Sequence, residues 1–171
     1  MKKTHIIAPL LLAASLFIPS LNAQNIVPNH PIQLQGGPGI AVKVSATPGM
    51  LPQEAQKFLQ TIYSRDALGP ITFNAVKDTY QVEVGSGTKI TFDKNGKVKD
   101  IMAPKGESLY GRAIAAVLPE KAYKHLEKAG LLEDVTGIKN ADSRGLRVLL
   151  LNAMPPEMLF DVDGLFIIID D

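Results

Sequence analysis

The chain has 171 residues, no cysteine and no tryptophan, and its 18 basic against 17 acidic side chains give a net charge of +1. Without cysteine there can be no disulfide, no zinc–thiolate centre and no cysteine nucleophile, and the near-neutral charge lacks the basic footprint of a nucleic-acid or anionic-lipid binder. What remains is a chain of about one-domain size that must be held by packing alone.

At the N-terminus a basic "MKK" precedes the apolar "IIAPLLLAASLFI" and then "PSLNA". This order reads as a secretory signal peptide, residues 1–23, and implies an exported protein, periplasmic or extracellular. The apolar run is short for a membrane span, so none is expected in the mature chain. Cleavage after Ala23 would leave 148 residues, in which 16 basic side chains face 17 acidic ones.

Residues 24–50, rich in Pro, Gly and Asn, read as an extended segment or linker, with Ile40 to Ala46 a possible edge strand. At Leu51 the period changes. Leu51, Ala55, Phe58, Leu59 and Ile62 fall on one helical face, Pro52 suits a first turn, and "SRDALGP" supplies the stop. The period then drops to two through "ITFNAV", "TYQVEV", "TKITF" and "KVKDIM", separated by turn residues. "SLYGRAIAAV" predicts a short helix with Ser108 as its cap. A further helix starts at Leu118 with Gly130 as its stop, and strand-like text follows to the end of the chain.

Two features recur at one spacing. The Leu-Pro helix starts at Leu51 and Leu118 are 67 residues apart, and the turns "FDKNG" at Phe92 and "FDVDG" at Phe160 are 68 apart. The expectation is therefore an α+β protein of two tandem units, residues 51–103 and 104–171, each a helix part followed by its own small antiparallel sheet. With Leu-Pro openings and F-D-x-[ND]-G turns, the chain resembles the PepSY-like proteins of Bacteroidetes, which share the fold class of the beta-lactamase inhibitory protein. That resemblance implies an exported, non-enzymatic binding or inhibitory module. The second unit departs from the pattern, with a Pro-Pro loop where an Asn-Gly turn is usual.

Candidate chemistry is sparse, and no cofactor is expected. Asp93, Asn95, Asp100, Asp161 and Asp163 are hard oxygen donors near glycines, but neither turn has the further donor and the closing Glu of a calcium loop, so metal binding stands as an alternative reading. Of the histidines, His30 lies in the linker and His125 takes the helical slot of Phe58. An enzyme would need a polar cluster around His125 that the linear sequence conceals, and Glu120 and Glu127 read as solvated helix charges. "GGPG" from Gly36 is followed by no phosphate-binding Lys.

Comparing the two units is more informative. Gln81, Glu83, Thr91, Lys97 and Lys99, outward in the first, correspond to Arg147, Leu149, Leu159, Leu165 and Ile167 in the second. Val148, Leu150, Phe160, Phe166 and Ile168 point the other way, so the second sheet is expected to be apolar on both faces and to need two covers. Its own helices can supply one cover, and the other could be intramolecular, from residues 40–46 or from the other unit. Otherwise the face would take a partner protein, a second copy or an apolar ligand, through Leu149, Leu151, Leu159, Leu165 and Ile167, with the polar sheet of the first unit as a weaker candidate surface.

Overall fold

The computed structural model describes residues 43–140 and 145–167, so the signal peptide, most of the linker, His30 and Ile168 lie outside the described residues. In chain order the elements are β1 (Lys43–Ser45), α1 (Gln53–Ile62), β2 (Leu68–Asn74), β3 (Thr79–Val84), β4 (Lys89–Asp93), β5 (Val98–Met102), α2 (Gly111–Val117), α3 (Glu120–Ala129), β6 (Val135–Asn140), β7 (Leu146–Leu150), β8 (Glu157–Phe160) and β9 (Phe166–Ile167). Short 3-10 turns, Pro48–Met50 and Leu132–Asp134, precede α1 and β6.

Alternation along each strand decides which side is dry. Ile71, Val82, Ile90, Ile101, Ile138, Val148 and Met158 lie opposite one another from β2 to β8, a continuous apolar row. All seven are buried in one core with Ala55, Leu59 and Ile62 of α1, Ala113 and Ile114 of α2, and Ala122 and Leu126 of α3. The helices therefore cover that face. Side chains of the opposite parity, such as Gln81, Thr91, Lys139 and Arg147, remain partly or fully exposed.

This arrangement corrects the expectation of two helix-plus-small-sheet units. Among the described residues the strands form one antiparallel sheet of nine strands in the order β1 to β9. β5 pairs directly with β6 across the expected boundary, through Asp100–Lys139, Ile101–Ile138 and Met102–Gly137. The physical reason is twofold. Two separate sheets would each leave an unpaired edge at this point, and the pairing closes both. It also places Ile101 against Ile138 with no exposed surface on either, worth about 1.5–3 kcal/mol per side chain by burial.

The two acidic turns are nonetheless built alike. In the first, Asp93 Oδ1 accepts from the amides of Asn95 and Lys97, both at 2.9 Å. In the second, Asp161 Oδ1 accepts from the amides of Asp163 and Leu165, at 2.9 and 2.8 Å. Each turn packs its glycine on the start of a helix. A Cβ at Gly96 would lie 2.6 Å from the Ala55 nitrogen of α1, and one at Gly164 would lie 3.0 Å from the Ala122 nitrogen of α3.

Smaller differences have local causes. Pro52 and Pro119 precede the first helical residue of α1 and α3 and do not occupy the first turn. Ser108 does not cap α2, whose N-cap is Tyr110; its hydroxyl donates instead to the Glu133 carbonyl. Part of the linker is ordered as β1, which pairs with β2 at one edge of the sheet.

Candidate functional site

The five aliphatic residues expected to form a surface lie on or beside the helix-free face. In the register of β7, β8 and β9, Leu159 sits opposite both Arg147 and Ile167, and Leu149 sits opposite Glu157. Leu149 and Leu159 are therefore diagonal neighbours and Ile167 directly flanks Leu159. The other two fall at opposite ends. Leu165 follows the Asp161 turn, and Leu151 lies just past β7 with its amide donating to the Asp134 carbonyl at 2.8 Å. Counting strand residues, these ends are about 20 Å apart. Leu151, Leu165 and Ile167 are 42%, 52% and 38% exposed, while Leu149 and Leu159 are half-buried.

One polar element divides the apolar surface. Arg147 and Glu157, also diagonal, approach to 3.5 Å, with both side chains partly exposed. Such a pair is worth only about 0.2–1 kcal/mol. Residues 43–46, considered as a cover for this face, belong to the opposite edge of the sheet, where β1 pairs with β2.

The same face continues as a polar groove of about 540 Å³ over the first strands, lined by Lys43, Thr72, Gln81, Thr91, Lys99 and Asp100. Gln81, Thr91 and Lys99, the weaker candidates, are brought together there. Asp100 is a strand residue of this groove, opposite Thr91 and Lys139, and does not belong to a turn.

His125 sits among aromatic rings. It stacks on Phe166 with centroids 4.8 Å apart and meets Phe160 edge-on at 5.7 Å. Glu120 is held below the ordinary carboxylate range by a hydrogen bond from Lys124, one turn along the fully exposed side of α3. Among the described residues no hydrogen bond or ion pair joins an acid to the imidazole. Among the described residues there is no cluster of three or more metal-ligating side chains, and no helix is long and apolar enough to cross a membrane.

A feature the sequence reading passed over lies at the end of α1. Tyr63 is 2% exposed, and its hydroxyl and Asp66 Oδ2 are buried without a hydrogen-bond partner. Burial, together with the nearby Tyr110 and Asp66, pushes the Tyr63 phenol up to about 12, against a smaller opposing effect of Arg112. Both residues line a cavity of about 270 Å³. In the sequence Asp66 was only one letter of a turn, and no periodicity distinguishes a buried Oδ2 from a solvated one.

No protein-family model and no curated protein matches the chain. Solved structures do. One is described as a periplasmic protein of unknown function from Bacteroides vulgatus ATCC 8482, 21% identical with a TM-score of 0.59, over 75% of this chain and 99% of that one. A second, from Bacteroides thetaiotaomicron, is described as a calcium-regulated periplasmic protein, 23% identical with a TM-score of 0.62, over 75% and 97%. A third, from B. vulgatus and assigned to the DUF2874 family, is 23% identical with a TM-score of 0.56, over 75% and 97%. These are Bacteroidetes proteins described as periplasmic, in keeping with that part of the resemblance, and none of the three is described as PepSY-like or as an inhibitor. At this identity the likeness shows the fold.

Proposed function

We propose that the chain is an exported, non-enzymatic module of the cell envelope that binds another protein through the helix-free face of its sheet over β7 to β9. The observation that carries this reading is the placement of Leu159 against Ile167 on that face, with Leu151 and Leu165 exposed at its two ends. Aliphatic side chains so placed gain about 1.5–3 kcal/mol each on full burial, before the cost of association. The leader-like N-terminus and the periplasmic descriptions of the three structural neighbours support the location.

Calcium is the competing reading, since one of those neighbours is described as calcium-regulated. Here Asp93 and Asp161 each direct one carboxylate oxygen to two backbone amides of their own turn. That geometry explains the acidic turns as hairpin closures with no need of an ion.

The binding reading is tested by replacing Leu159 and Ile167 together with Glu in a tagged mature chain expressed in its native host. In vivo cross-linking should trap a partner with the wild-type chain and lose it with the variant, while the circular dichroism of the two stays the same. Unchanged adducts would overturn the reading. So would a wild-type adduct that proves to be a second copy, with concentration-dependent sedimentation.

A further inference from the structure

The cavity at the end of α1 is lined by both apolar and polar residues. Leu51, Leu59 and Leu68 supply apolar surface, with Leu68 41% exposed. Tyr63 and Asp66 line it too, and the Tyr63 hydroxyl and Asp66 Oδ2 are both buried and both without a hydrogen-bond partner. Buried polar atoms of this kind are uncommon because each lost hydrogen bond is costly, and a carboxylate oxygen is the costlier of the two. Among the lining residues Asp66 is the sole charged group. Gln56 donates its Nε2 to the Leu51 carbonyl at 2.8 Å, which leaves its Oε1 as a further acceptor.

The backbone adds to the same sign. Gln60, Tyr63 and Ser64 line the cavity at the C-terminal end of α1, where the helix dipole is negative and its last carbonyls lack helical partners. No basic residue stands in that last turn. A cation is what such an end attracts.

From the apolar walls, the buried acceptors and the single carboxylate, we propose that this cavity is a binding site for a primary alkylammonium group, the chemistry of a lysine side chain or of a free alkylamine. The alkyl stem lies along Leu51, Leu59 and Leu68, and the ammonium donates to Asp66 Oδ2 and the Tyr63 oxygen, with Gln56 Oε1 within the same set of acceptors. A neutral polyol fits less well, because it brings no charge to the carboxylate and would spend its hydroxyls on leucines.

The test uses the whole mature chain and three probes: N-acetyl-lysine methylamide, its uncharged norleucine counterpart, and n-butylamine. Amide resonances of residues 56–68 should shift on titration with the lysine derivative and remain still with the norleucine one. Binding of butylamine as tight as the lysine derivative points to a free amine as the ligand, and clear preference for the lysine derivative points to a peptide; either supports the site. Asp66→Asn should weaken the lysine derivative roughly tenfold or more, and Tyr63→Phe should do so by a smaller factor. Should Asp66→Asn not fold, the lysine-to-norleucine comparison on the wild-type chain decides alone. Equal shifts with both derivatives, or none with either amine, would overturn the proposal.

Discussion

Tyr63 concentrates several effects in one side chain. Its phenol is raised from the ordinary 10 to about 12, first by burial and then by Tyr110 and Asp66. Below about pH 10 the group is neutral in folded and unfolded chains alike. Between about 10, where the unfolded tyrosine ionises, and about 12, where the folded one does, only the unfolded state releases the proton, so stability must fall as pH rises. A series of melts across that window should show the fall, and Tyr63→Phe should flatten it. Absorbance at 295 nm should show one of the four tyrosines titrating last. Gly96 is the other residue with a sharp consequence: at φ +88 and with a Cβ position 2.6 Å from the Ala55 nitrogen, Gly96→Ala should cost about 1–3 kcal/mol. Asp93→Ala removes two turn hydrogen bonds, for about 1–2 kcal/mol, and calcium in place of a chelator should leave the melting temperature of the wild-type chain unchanged.

Among the elements, the strands were readable where alternation was strict. Val135 to Asn140 was expected as a strand and is β6, and Tyr80, Val82 and Val84 mark the inner side of β3 as their spacing requires. What the alternation of Lys99, Asp100 and Ile101 could not convey is the neighbour. Period-two patterns say which face a side chain takes and are silent on which strand lies alongside. The β5–β6 seam was missed for that reason, and with it the single sheet. Likewise the five aliphatic positions on or beside β7 to β9 stand out in the sequence, but the interposed Arg147–Glu157 pair depends on a diagonal contact between strands. At the seam itself, Ile101→Ala and Ile138→Ala should each cost about 2–5 kcal/mol in urea unfolding. Because the two residues face each other, the double variant should depart from the sum by about 0.5 kcal/mol or more.

For the whole molecule, continuity of the sheet has a thermodynamic signature. A chain of two separate units could unfold in two steps, whereas strands joined through β5 and β6 share one core with all three helices. Urea curves followed by far-ultraviolet circular dichroism and by tyrosine fluorescence should therefore coincide in a single transition. Separate midpoints would show that the seam does not couple the halves. The placement of the helices on one side also separates two kinds of constraint along the central strands. Positions such as Val82, Ile101 and Val148 answer to packing, and outward residues such as Gln81 and Arg147 do not. A saturation library of this chain, selected for folding alone, should thus alternate between intolerant and permissive sites at every second residue, leaving one side of the sheet free to acquire new partners while the other preserves the fold.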